Sequence, residues 1–348
     1  MEVQALGCQL GSLARSLLDL VLAPESFRVL ATGCRQPEAA RAIIELASSH
    51  NQVEELILVC VQNSILATLD INLIFRSENL YTKILSELCK ETCSTFIRDL
   101  LMNLVGELVT KKTSEKKILK ITRVILERIY NEFNYFPTNF HRLCVLVVRQ
   151  MRLISPNSDT RLAMVNLIFL RFLCPLILDL AHGEHVSNVI TATKTIQNLA
   201  SSALFTNKKR ITDKFILKNL PKMKQFLEVL GKENIVYLPL SLNVPGTDLK
   251  PLIRFVSGSA PSLPELQPFF GKIAALADEN PIMYNQVIDF YNFSLRTRLQ
   301  TVSADDFLGC SPETRKRLLV RGFSEPIPHL RNLERFRTNL HVGCSSDR

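Results

Sequence analysis

The sequence predicts an all-α protein. Glycine numbers only 12 in 348 residues, so tight turns are few, whereas a many-stranded sheet needs many. Apolar residues recur at three- and four-residue spacing in segment after segment. Hydrophobic residues make up 47% and charged residues 22%, which suits a chain with a large core and not a disordered one. The length fits one large domain or two ordinary ones.

The helices read in order. Residues 8–22 carry a helical spacing. Pro37 opens PEAARAIIELASSH at the first-turn position that proline favours. Residues 53–69 are apolar nearly all round, which predicts deep burial. A break follows at Asp70 to Asn72, and Ser77 is the expected cap of a long helix through SENLYTKILSELCKE. Thr113 and Ser114 mark the start of a strongly amphipathic helix, and Pro137 opens one that runs to about Arg152. SPNSDTR reads as a loop. Residues 159–180 form a very apolar helix containing Pro175, and 186–203 and 213–230 give two more. The stretches 238–251 and 258–264 read as irregular connections, and 265–299 as helix. Residues 301–348 are expected to be a helical appendage or a partly disordered tail after a domain spanning 1–300.

Several classes are set aside. The N-terminus carries Glu2, Arg15 and Asp19 through its apolar part, unlike a secretory leader. Glu2 stands where N-myristoylation needs glycine, and four residues follow Cys344 where a prenylation box needs three. Nine scattered cysteines suit reduced, buried thiols of a cytosolic protein. Cys89 with Cys93, and His182 with His185, lack further ligands, so no metal or cofactor is expected. The segment 162–181 is apolar enough to cross a membrane. Its central Arg171 would cost about 2.5–3.5 kcal/mol at a bilayer centre, so a helix buried in a helical protein is expected. A buried arginine needs a partner.

Two arginines stand out. Arg76, in INLIFRSENLYTK, lies on a loop between rigid helices. Arg171, in FLRFLCP, lies in the apolar helix. Alone, Arg76 reads first as a solvated loop residue, and Arg171 as a structural arginine bonding backbone carbonyls.

IFRSENLYTK, FPTNFHRL, IFLRFLCPLIL and KTIQNLASSALF occur in an order and spacing that resembles the GTPase-activating domain of Ras-GAP proteins. Ile74, Phe75, Arg76, Asn79 and Lys83 look like that family's first landmark. Phe169, Leu170 and Arg171, with Pro175 following, look like its Phe-Leu-Arg, and Lys194 and Gln197 like its third landmark. The likeness covers about residues 50–235. It implies a Ras-GAP-type helical bundle, with a central catalytic domain and flanking helices.

The resemblance also implies roles. Arg76 would be an arginine finger inserted in trans into a GTPase site, and Arg171 would brace the finger loop. Leu170, Lys194, Lys83 and Lys208 would belong to the surface that meets the GTPase. GTP and Mg²⁺ would be held by the partner, so no cofactor of its own is implied. The implied partner is a Ras-family small GTPase in its GTP state. A catalytically weak GTPase-binding scaffold of the same fold is the alternative. Three departures are visible: Leu176 where the family has Ala, Ser201 where it commonly has Asn, and His141 where it usually has Arg.

The net charge is +9. The runs at 110–120 and 207–210 read as solvated helix faces, or as steering toward an acidic GTPase or toward anionic lipid. The expected location is cytoplasmic, with recruitment to the inner face of the plasma membrane as an extension. Aromatics do not interleave with these charges, so nucleic acid is not an expected partner.

Overall fold

The computed structural model describes residues 37–205 and 210–232, with a few isolated positions outside them. Contacts divide the chain into two units, Met1–Tyr291 and Asn292–Arg348. Every described residue lies in the first. Of the described residues 79% are helical and none is in a strand, so this part of the chain is all-α. The expectations for 238–251, 258–264 and 301–348, and most of 8–22 and 265–299, fall outside the described residues.

Helix α1 spans Pro37–Ser49 and α2 spans Val53–Leu66. Asn51 separates them at φ 56°. The Gln52 N–H bonds back to Ala47 and the Asn51 N–H to Ser48, closing the end of α1 through a left-handed residue. Helix α2 buries Val53, Leu56, Ile57, Val59, Cys60 and Val61, as its all-round apolarity predicts. A one-turn 3-10 helix, Ile71–Leu73, follows, with Asp70 accepting from the Asn72 N–H.

Helix α3, Leu80–Val109, is 30 residues long, about 45 Å of axis. Its cap is Asn79 and not Ser77. The Asn79 side chain accepts from the Thr82 N–H at 2.9 Å and the Thr82 hydroxyl accepts from the Asn79 N–H at 3.1 Å. This reciprocal box outcompetes a lone serine two residues earlier. The Ser77 carbonyl instead accepts from the Thr82 hydroxyl at 2.9 Å.

Helix α4 is Glu115–Glu132, followed by a 3-10 turn, Phe133–Tyr135. Helix α5, Thr138–Ile154, has Pro137 at its cap. Helix α6 runs Thr160–Asp179. Helices α7, Val186–Ala200, and α8, Arg210–Val229, complete the described bundle. Its extensive contacts are α2 on α5, α7 on α8, α1 on α3 and α3 on α6. Phe133, Phe136, Phe140, Phe172 and Phe226 form a connected aromatic core.

Among the described residues α6 is the one helix long and apolar enough to cross a membrane. Within the fold, 67% of its most apolar window is buried, against α3 and α7. The five described cysteines of the core, Cys60, Cys89, Cys93, Cys144 and Cys174, are buried and unpaired. Burial pushes all five thiols up, Cys174 to about 12, so they are protonated and inert near neutral pH. Among the described residues no group of three His, Cys, Asp or Glu side chains could hold a metal ion.

The departing residues each have a place. Leu176 is 3% exposed. Ser201 caps the end of α7, where Ser202 at φ 55° turns the chain. His141 lies edge-on to Phe133 with centroids 4.6 Å apart, and its Nε2 is buried without a hydrogen-bond partner. Burial lowers its pKa, against a hydrogen bond to the Phe133 backbone that raises it. The neighbouring Arg142 makes the ion pair instead. Its fork donates to both Glu54 oxygens at 2.8 Å, joining α5 to α2.

Candidate functional site

The loop between α2 and α3, residues 70–79, is anchored at both ends and held in the middle. Asp70 caps the 3-10 turn and Asn79 caps α3. In between, Ile74 and Phe75 are fully buried. Phe75 has φ 61°, a left-handed conformation that is strained for a bulky side chain. With its ring in the core, the chain must turn there, and the next side chain, Arg76, is directed outward and exposed.

Two side chains of α6 hold this turn by its carbonyl oxygens. Asn166 Nδ2 donates to Ile74 at 2.9 Å and to Asn72 at 3.3 Å. Arg171 Nε donates to Phe75 at 3.0 Å and its Nη2 donates to the Arg76 carbonyl. The loop's own bonds are short-range: Arg76 N–H to Leu73 at 3.0 Å and Ile74 N–H to Ile71 at 3.2 Å. Four carbonyls of the loop, those of Asn72, Ile74, Phe75 and Arg76, are therefore fixed from outside it. Among the described residues the Arg76 side chain has no hydrogen bond or ion pair.

The winding of α6 explains how one helix supplies both donors. Residues Val165–Leu173 are a π-helix. Arg171 lies five positions after Asn166 in the sequence. At about 100° per residue, an α-helix would put them roughly 140° apart around the axis. Bonding to the fifth residue lowers the rotation to about 80° per residue, which brings the pair within roughly 50°. Pro175 sits just past this segment. Having no N–H, it cannot bond the carbonyl four residues back, that of Arg171. Ser86 Oγ of α3 donates to that carbonyl at 2.8 Å. The wide turn is thus stitched to the long central helix at the residue that grips the loop.

The other residues singled out in the sequence are placed as follows. Leu170 is half-buried in the π segment beside Arg171. Lys83 is half-buried in the first turn of α3. Lys194 is exposed on α7, a helix that packs against the π segment. The Lys83 N–H bonds to the Asn79 carbonyl at 3.0 Å as part of the helix start, and among the described residues neither lysine side chain bonds to the 70–79 loop. Lys208 lies outside the described residues. The sequence reading did not single out Asn166 or Ser86 as site residues. The available signal for Asn166 was an amide in an otherwise apolar run. For Ser86 it was the proline that deprives a carbonyl of its donor. Leu66 and Leu69, just before the loop, and Leu73 within it are also exposed, at 52%, 109% and 45%.

Chemically, the arrangement presents a single guanidinium at a fixed place on the surface. Ser77 and Glu78, next to it in the chain, are exposed as well, whereas the five core thiols are buried and inert. Comparison of the chain with models of protein families and with curated proteins gives no match to either.

Proposed function

We propose that the protein binds a GTP-loaded Ras-family small GTPase and accelerates GTP hydrolysis by inserting Arg76 in trans. The observation that supports this reading is the pairing of a free guanidinium with a clamped backbone. Arg76 is exposed and unpartnered among the described residues, while the carbonyls around it are gripped by Arg171 and Asn166. A solvated loop arginine needs no such support.

The chemistry gives the support a purpose. As the γ-phosphoryl group leaves, negative charge grows on its oxygens. A planar guanidinium donates to two oxygens at once and stays charged at any accessible pH. Its contribution depends on orientation, since a loosely held side chain gives up the proximity advantage. A positioned arginine supplied in trans accelerates hydrolysis by about 10³–10⁵. GTP, Mg²⁺ and the water-orienting group belong to the GTPase in this reading, and Leu170, Lys83, Lys194 and Lys208 belong to the surface that meets it.

The test is single-turnover GTP hydrolysis by a panel of Ras-, Rap- and Rho-type GTPases with the wild type and Arg76→Ala. For the responsive GTPase the variant is expected to lose about 10³-fold of the stimulation. A loss below tenfold removes Arg76 from the mechanism. Binding that prefers the GTP state without any change in rate identifies a scaffold of this fold instead.

A further inference from the structure

Away from the 70–79 loop, helices α4 and α8 lie side by side. Thr212 of α8 donates to Glu115 of α4 at 2.6 Å. The Arg123 guanidinium lies 5.7 Å from the Phe215 ring centroid. The Lys222 ammonium lies 5.4 Å from the Tyr130 ring centroid, and the Tyr130 hydroxyl reaches the Met223 sulfur at 3.7 Å. Partners advance together along both chains, so the two helices run in the same direction.

This register lines up their charges. Lys116, Lys120 and Arg123 fall within about 60° of one another around α4, and Lys214, Lys218 and Lys222 within about 80° around α8. Arg123 and Lys222 lean across the seam, so both rows border it. All but the half-buried Arg123 are exposed, and among the described residues none of the six is ion-paired. The acids on this side are Glu115, which accepts from Thr212, and Glu127. Asp213 points elsewhere, accepting from the Phe205 N–H at 2.9 Å. Ile211, 44% exposed, lies at the end of the α8 row, and Leu217, 57% exposed, borders it.

We infer that this strip docks the protein on an anionic membrane surface. Five of the six cations are lysines, point charges on flexible stems with no forked geometry to read a particular group. Neither row itself carries an exposed aromatic side chain that would offer a base a stacking platform, as single-stranded nucleic acid would require; the exposed Tyr135 follows the end of α4. A broad field of monovalent anions is the ligand that such a diffuse array matches. The lysine stems and the two exposed aliphatic side chains suit the boundary between headgroups and acyl chains. The inference stands on α4 and α8 alone and survives the loss of the reading given for Arg76.

Each lysine near an anionic surface contributes about a fivefold change in partitioning. The full-length protein should therefore cosediment with phosphatidylcholine vesicles containing about one third phosphatidylserine, and not with phosphatidylcholine alone. Raising salt from about 0.1 M to about 0.5 M should release it. The variant Lys214→Ala, Lys218→Ala, Lys222→Ala should lose about 100-fold in partitioning, at unchanged circular dichroism. The control variant Arg41→Ala, Lys90→Ala, Arg98→Ala removes the same charge from α1 and α3 and should bind as the wild type. Equal loss in both variants, or salt-independent binding to neutral vesicles, overturns the assignment. It is also overturned if the α8 variant keeps its vesicle binding and loses affinity for a lipid-free GTPase.

Discussion

Replacing Arg171 with alanine tests whether the loop is held or merely rests in place. Phe75 at φ 61° costs about 1–2 kcal/mol for a side chain with a Cβ. Against this stand two hydrogen bonds from a charged donor, Arg171, and two from a neutral one, Asn166. Charged donors contribute about 1.5–3 kcal/mol each and neutral ones about 0.5–1.5. The bond to the Arg76 carbonyl is exposed and belongs at the low end. Without Arg171 the Asn166 pair supplies about 1–3 kcal/mol, which barely exceeds the strain. The held and released forms then become comparable in population, whereas in the wild type the held form dominates. Hydrogen exchange reads this directly. The Arg76 and Ile74 amides, bonded to Leu73 and Ile71, should lose at least about tenfold in protection. The amides of α3 and α7 should not change. In the GTPase assay the same variant should lose about 10- to 100-fold of its rate, since displacement by about 1 Å is enough for that. Unchanged protection of the two amides would refute the clamp. Loss of protection throughout the bundle would mean that Arg171 serves the core and not the loop.

Two predictions concern the bundle itself. His141 is held below its ordinary pKa by burial, so below about pH 6.5 the unfolded chain binds a proton that the folded chain resists. Its contribution to stability is complete above that pH and is lost as pH falls below it. Thermal unfolding between pH 7.5 and 5.5 should therefore show a smaller drop in Tm for His141→Gln than for the wild type, and parallel curves would exclude the effect. At Gly231 an added Cβ would meet Val148 Cγ2 at 2.5 Å and Cβ at 2.9 Å. Gly231→Ala should destabilise by about 1–3 kcal/mol, and denaturant unfolding should show that combining it with Val148→Ala costs less than the sum of the two single changes.

The helical architecture was legible because it rests on local patterns. Pro37 and Pro137 lie at the starts of α1 and α5, and the apolar run at 53–69 gives the buried α2 as far as Leu66, while its end, with Leu66 and Leu69, is exposed. The cap of α3 was misplaced by two residues. Ser77 and Asn79 are both good caps, and only the reply from Thr82 decides between them. Arg171 was legible as a charge in need of a partner, and its partners could be guessed only through a resemblance. Phe75 gave no sign of its left-handed backbone, because that conformation is imposed by packing and by donors 91 or more residues away in sequence. Non-local hydrogen bonds leave little trace in a window of sequence. An isolated asparagine or arginine among leucines is the trace they do leave.

The π-helical stretch is the least expected feature and the one on which the loop depends most. A regular helix carrying Asn166 and Arg171 would aim them to different sides. One could meet the loop while the other faced an apolar neighbour, where an unpartnered guanidinium is costly. Widening the turn resolves this conflict, at the expense of weaker bonds inside the helix. The sequence supplies compensation on both sides. Phe169 and Phe172 are fully buried and fix the wide turn in the core. Pro175 denies the Arg171 carbonyl its regular donor, and Ser86 supplies a substitute from α3. The grip on the loop is thereby tied to the longest described helix, whose own first turn begins where the loop ends. A displacement of α3 would move the loop's exit and the Arg171 backbone together, so Arg76 keeps its aim relative to the bundle. The exposed Arg76 side chain is left free of this grip, and in the proposed function it is the part that adapts to the GTPase.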